Sequence, residues 1–261
     1  MLQGLRVKVY VHASCYSSYS LIKYLIEKRL TSEVDIVDVS RAPDIDGVIL
    51  SVPWIRIDSS VVAADPVSGE EVEAMIRGSY MPSIEDPLES FIQTLLASSY
   101  ASSIAFLHGD LGYAAFRELA EASLRAPFTG LDVTELLKTI KRNGRSLYEG
   151  LELKLARVIT INYIRDLYWA NGGLLGEEEL RRRSDETSIL TWLIAKASIG
   201  RVGLPGNPML LANREGVKLV SRILESEGQK IMVHVDREQR IIFGDTSYIS
   251  FIEGIGFKLK A

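Results

Sequence analysis

An α/β domain over residues 1–82, followed by a mainly α-helical domain over 83–261 that ends in a β-hairpin, is the fold class the sequence predicts. Three observations carry it. Up to Pro82, short β-rich runs alternate with helical spacing in the order strand, helix, strand, strand, strand, helix. Past Pro82 the strand signal almost vanishes for about 150 residues, and apolar positions recur with helical spacing. The length, 261 residues with 47% hydrophobic and 25% charged side chains, suits two globular domains that fold without disulfide or metal staples.

Residues 7–12 are rich in β-formers and stop at the small residues Ala13 and Ser14, as a buried strand does. Ser17, Ser18 and Ser20 then offer capping hydroxyls ahead of Leu21, Ile22, Tyr24, Leu25, Ile26 and Leu30, whose spacing makes one broad apolar helical face ending near Arg29. Residues 34–39 alternate apolar and acidic side chains and read as a second strand, followed by a short irregular or helical connection through Pro43, Asp44 and Gly47. Such a strand-helix-strand unit is parallel with a right-handed crossover. Residues 54–58 and Val61-Val62, with Ser59-Ser60 between them, read as a hairpin. From Pro66 to Glu71 the chain places acidic residues in the first turn of a helix whose apolar positions are Val72, Met75 and Ile76. Gly78 to Ser83 carries a glycine, a proline and polar residues in place of periodicity and reads as the linker.

In the second part, apolar stripes run over residues 87–107, 113–125, 133–142, 147–170, 177–199 and 214–227. Breakers part them at Gly109, Gly112, Pro127, Gly130, Gly144, Gly172 and Gly173 and over residues 200–208. Residues 230–235 and 241–243, joined by 236–239, read as the closing hairpin, with a last helix over 248–255. Aromatics at helical spacing over 162–169, around Arg165 and Asp166, read as core.

The charge balance excludes several function classes. Basic and acidic residues number 8 and 11 up to Pro82 and 22 and 23 beyond it, so neither part is a basic module for nucleic acid or a membrane surface. No apolar run approaches the roughly 18 residues of a membrane helix, and the N-terminus lacks the pattern of a signal peptide. A cytoplasmic protein with neither nucleic acid nor membrane as partner is therefore expected. Asparagine (5) and glutamine (4) are scarce beside 64 charged residues, a bias of heat-adapted proteins. His12, His108 and His234 are far apart and give no metal-ligand spacing with the single cysteine. Residues 200–208 lack the Gly-Lys-Ser/Thr ending of a phosphate loop, and no Gly-x-Ser-x-Gly elbow is present.

The single cysteine, Cys15, stands where the first strand passes into the first helix. Tyr10, four residues, and then Cys15-Tyr16-Ser17-Ser18 have the spacing of the glutaredoxins, and Ser51-Val52-Pro53-Trp54 stands where that family carries Thr-Val-Pro before its third strand. Up to Pro82 the chain thus resembles a glutaredoxin of the Cys-x-x-Ser type. The resemblance implies a thioredoxin-like fold, a cis proline at Pro53 beside Cys15, and a site made of Cys15 and Ser18 with Tyr16, Ser17, Val52, Pro53 and His12 as substrate-binding residues. His12 stands where glutaredoxins carry a basic residue, and Ala63-Ala64-Asp65 replaces their Gly-Gly pair. Tyr16 and Ser17 replace the Gly-Phe of the cluster-binding subgroup, so neither an iron–sulfur cluster nor another metal is expected. A glutaredoxin-like domain ahead of a helical one is also similar to the plan of glutathione transferases, which implies a homodimer and a small thiol such as glutathione as ligand.

A cysteine at a helix N-terminus meets unpaired N–H groups and the positive end of the helix dipole, which favour the nucleophilic thiolate. With Ser18 in place of a second cysteine, a mixed disulfide at Cys15 is resolved by an external thiol, small or protein-borne. Ser17 and Ser18 donate hydrogen bonds or cap the helix, a protonated His12 stabilises the thiolate, and the backbone of Val52 receives an extended thiol peptide. The expected function is thiol-disulfide redox chemistry or thiol transfer at Cys15, with no resident cofactor. The alternative is a non-catalytic scaffold or regulatory protein of the same fold.

Overall fold

The structure, a computed structural model, describes residues 7–41, 48–198 and 212–258. The expected connection through Pro43, Asp44 and Gly47 and the loop over 200–208 lie outside the described residues. The chain forms two compact units. One comprises Met1–Ser98, Phe116–Leu136 and Gln239–Ala261; the other comprises Ser99–Ala115 and Leu137–Glu238.

In the first unit a four-stranded sheet has the order β2-β1-β3-β4, with β1 (Val7–Val11), β2 (Val34–Asp38), β3 (Trp54–Ile57) and β4 (Ser60–Ala64). β1 and β2 pair in parallel with Val9 opposite Ile36, across a connection that contains α1 (Tyr16–Glu27). β3 runs antiparallel to both β1 and β4, with Val9 opposite Ile55. The β3-β4 loop is Asp58-Ser59, and Asp58 takes a positive φ of 52°, a conformation that aspartate tolerates better than most residues.

Alternation along the strands separates two buried faces. Val7, Val9, Val11, Ile55 and Ile57 join Leu21, Ile22 and Leu25 of α1 and Val72 and Met75 of α2 (Gly69–Ile76) in one apolar cluster. Tyr10 and Trp54, paired across β1 and β3, lie outside that cluster and are equally buried. α2 starts at a complete capping box: Ser68 Oγ accepts from the Glu71 N–H, and Glu71 accepts from the Ser68 N–H. Residues 77–86 hold neither helix nor strand, as the composition of Gly78 to Ser83 predicts, and α3 (Pro87–Ala97) follows with Asp86 as N-cap and proline at its first position. α5 (Arg117–Leu124) and the four-residue α6 (Ala126–Thr129) also belong to this unit.

The predicted closing hairpin is absent, and in its place α10 runs unbroken over Arg214–Gly244. The reason lies in the spacing of the buried positions: Met232, Val235, Gln239 and Ile242 are buried, whereas Val233, Ile241 and Phe243 are exposed, which is a helical and not an alternating pattern. Asp236 to Gln239 also lacks the glycine or asparagine that a tight hairpin turn needs. α11 (Thr246–Lys258) follows, close to the predicted last helix, and Ile242, Tyr248 and Ile252 enter the same apolar cluster as β1 and α1.

The second unit holds α4 (Ser99–His108), a 3-10 turn at Leu111–Ala114, most of α7 (Val133–Asn171), α8 (Glu177–Arg182), α9 (Glu186–Ser198) and α10 up to Glu238. The breaker predicted at Gly144 lies inside α7, where a methyl group would collide with the Asp110 carboxylate and the Gly112 N–H. Asp110 caps the 3-10 turn from there, its Oδ1 accepting from the Gly112 N–H at 2.6 Å. Of the aromatics over 162–169 only Tyr163 is a core residue; Tyr168 is half-buried and Trp169 is exposed, so the expectation of a buried aromatic set holds for Tyr163 alone, while Arg165 pairs with Glu238 at 2.8 Å and Asp166 accepts from Trp192 Nε1 at 2.9 Å and Lys196 Nζ at 2.8 Å. Among the described residues no single helix is long and apolar enough to cross a membrane.

Candidate functional site

β1 ends at Val11, and residues 12–15 turn the chain into α1 with Cys15 as the N-cap residue. The turn is closed by its own backbone and by the His12 ring, since the Cys15 N–H donates to the His12 carbonyl at 3.0 Å and the Ser14 N–H donates to His12 Nδ1 at 3.2 Å. Ser18, fully buried in the first turn of α1, accepts from the His12 N–H at 3.3 Å and ties the helix back to the strand end. The hydroxyls that the sequence offers as caps do other work here, because the helix begins at Tyr16, ahead of all of them.

Cys15 Sγ, partly exposed, donates to the Val52 carbonyl at 3.4 Å, and the Val52-Pro53 peptide bond is cis. The sequence-predicted residues His12, Cys15, Ser18, Val52 and Pro53 therefore gather at the end of β1 that faces the start of α1. Tyr16 projects outward, 41% exposed, with its ring 5.8 Å from that of Tyr19. Ser17 turns to Asp65, donating to its Oδ2 at 3.1 Å. Burial pushes the Asp65 carboxyl up to about 6, against the opposing effect of the Ser17 hydroxyl.

The thiol makes no capping bond to α1. A carbonyl accepts only from the protonated thiol, and the first-turn N–H groups of α1 beside Cys15 have no helical acceptor.

Two further residues reach the turn, and a third reaches α1, from a part of the chain with no motif to announce them. Tyr248 of α11 donates its hydroxyl to the Ala13 carbonyl at 3.0 Å, and Gln239 of α10 donates Nε2 to the Ser14 carbonyl at 3.2 Å. Asp245 joins α11 to α1: it accepts from Tyr19 at 3.1 Å and pairs with Lys23 at 2.8 Å. The Lys23 ammonium holds the Asp245 carboxyl well below the usual carboxylate range. Burial raises the Tyr248 phenol, and the nearby charges of Cys15 and Asp38 raise it further. Asp38, fully buried at the end of β2, accepts from the Ser40 N–H at 3.0 Å and hydroxyl at 2.7 Å through Oδ1, while its Oδ2 accepts no hydrogen bond among the described residues and lies 3.6 Å from Arg41 Nε.

Among the described residues no group of three or more histidine, cysteine or acidic side chains is placed to hold a metal ion. Comparison of the chain with protein-family models, with curated proteins and with solved structures gives no match.

Proposed function

We propose that this protein is a thiol-transfer or thiol-disulfide redox protein of thioredoxin-like, glutaredoxin-like type that works through one cysteine. The observation that carries the reading is the placement of Cys15 at the N-cap of α1, its sulfur 3.4 Å from the carbonyl that precedes the cis proline. In the proposed reaction the Cys15 thiolate attacks one sulfur of a substrate disulfide, forming a mixed disulfide at Cys15 and releasing the other half as a thiolate. A second, external thiolate then attacks the substrate sulfur of that mixed disulfide and returns Cys15 as thiolate, because Ser18 has no sulfur with which to do so. Disulfide is neither lost nor gained over the cycle. The partner is a small thiol such as glutathione, or a protein thiol.

The pH dependence of Cys15 alkylation tests this, with Cys15→Ser as blank and the unfolded chain as reference. A native rate profile whose midpoint lies below that of the unfolded chain, together with exchange against a small mixed disulfide, supports thiol chemistry. A second reading, a scaffold that keeps the fold without the chemistry, is favoured by the donation of the thiol proton to the Val52 carbonyl. Protection from alkylation, or a midpoint equal to that of the unfolded chain, establishes it.

A further inference from the structure

The turn that carries Cys15 is held by its own backbone on one side and by the C-terminal helices on the other. The Ala13 and Ser14 carbonyls each receive one side-chain donor: the Tyr248 hydroxyl at 3.0 Å and the Gln239 amide at 3.2 Å. Both donors are built for precision. Tyr248 is fully buried in the apolar cluster that contains β1 and α1, and its ring packs edge-on against Tyr19 with centroids 5.0 Å apart. Gln239 is 2% exposed and its Oε1 has no hydrogen-bond partner among the described residues, where the bond to Ser14 is what orients the amide. A glutamine is an expensive choice for a buried helix position unless its donor has a task. Asp245, through Tyr19 and Lys23, then fixes α11 to the helix that Cys15 caps.

We infer that Gln239 and Tyr248 are positioning residues for the thiol: by holding the Ala13 and Ser14 carbonyls they fix the turn that sets Cys15 between the Val52 carbonyl and the first-turn amides of α1. This deepens the proposed thiol chemistry and rests on it. The groups that titrate around the turn are His12 at its start, Asp38 at the end of β2, Tyr19 of α1 and Tyr248 itself, with Asp65 acting on Ser17 from the end of β4. Neither variant proposed below adds a charge to this set.

The experiment uses the full chain with Tyr248→Phe and Gln239→Met, each close in size to the residue it replaces, and with Tyr19→Phe as a control that weakens the α11 attachment while leaving both carbonyl bonds in place. Two quantities are read in variants that circular dichroism shows to be folded: the alkylation rate profile of Cys15 with pH, and amide exchange in a peptide covering residues 12–18. Tyr248→Phe and Gln239→Met are each expected to speed exchange by about threefold to tenfold, the effect of one lost hydrogen bond, and to move the alkylation midpoint toward that of the unfolded chain. Tyr19→Phe is expected to leave both as they are. An alkylation profile unchanged in both variants overturns the inference, and so does a changed profile without faster exchange, since the effect then bypasses the turn. The thiol reading is judged separately, by the wild-type protein against its unfolded chain.

Discussion

Asp65→Asn isolates the effect of a buried carboxyl beside the first turn of α1. Burial moves the Asp65 carboxyl from the usual 3.8 up to about 6, so the folded protein binds this proton more tightly than the unfolded chain does. Stability must then fall as pH rises between those two values, and the penalty is complete above about 6 and absent below about 3.8. The interval is roughly two pH units at about 1.4 kcal/mol each, so the ionised form costs about 2 to 3 kcal/mol at neutral pH. Asparagine stays neutral throughout and still offers Oδ1 to the Ser17 hydroxyl, which donates to Asp65 at 3.1 Å in the wild type. Urea unfolding of both proteins near pH 4 and near pH 7.5 gives the comparison, in which the other titrating groups cancel. The variant is expected to be more stable by about 2 kcal/mol at the higher pH and equal to wild type within about 0.5 kcal/mol at the lower. The same stability difference at both pH values would refute the argument, since Asp65 would then titrate alike in the folded and unfolded chain.

Two glycines of α7 should respond in opposite directions to the same substitution. Gly150→Ala, at an exposed site with nothing near the added methyl, should stabilise by about 0.5 to 1 kcal/mol, whereas Gly144→Ala drives the methyl into Asp110 and the Gly112 backbone and should cost more than about 2 kcal/mol; thermal melts of the pair decide it. Trp54 is fully buried, so Trp54→Ala should cost about 3 to 5 kcal/mol, while Trp54→Phe should cost clearly less because the indole N–H has no hydrogen-bond partner among the described residues for phenylalanine to forfeit; urea midpoints measure both. Asp245 accepts from the Tyr248 N–H at the start of α11 and pairs with Lys23, so Asp245→Ala should lower stability by about 1 to 2 kcal/mol and speed proteolysis near residue 245; an unchanged melt and digest would deny that Asp245 anchors α11.

Local pattern read most of the first unit correctly because its signals are local. Val7 to Val11 and Trp54 to Ile57 carry β-formers bounded by turn residues, and the acidic residues expected in the first turn of a helix after Pro66 are Glu70 and Glu71 of α2. That Cys15 and the Val52-Pro53 pair meet was implied by the resemblance those residues carry and not by local pattern; the Cys15 sulfur lies 3.4 Å from the Val52 carbonyl. The errors came where local pattern is ambiguous. Lys230 to Val235 holds four apolar residues whose spacing suits either conformation, and only the burial of Met232, Val235, Gln239 and Ile242 shows which period governs. Gly144 marks a close approach between segments and not a helix end. Gln239 and Tyr248 were illegible for a different reason: their partners are backbone carbonyls more than 220 residues away, and a carbonyl leaves no trace in a sequence.

That separation bears on how the protein is made. The strands and α1 leave the ribosome first, yet the donors to Ala13 and Ser14 follow 235 and 225 residues behind their acceptors. Long-range closures of this kind are late events, and synthesis at about 5 to 20 residues per second adds tens of seconds before they are possible. During that interval the nascent thiol is carried on a turn lacking its outer supports, with Val11, Leu21 and Leu25 still missing the cover of Ile242, Tyr248 and Ile252. A chain released early, or extended by a fusion that obstructs α11, would keep the cysteine and its sheet but present that thiol to every oxidant and disulfide in the compartment where it is synthesised.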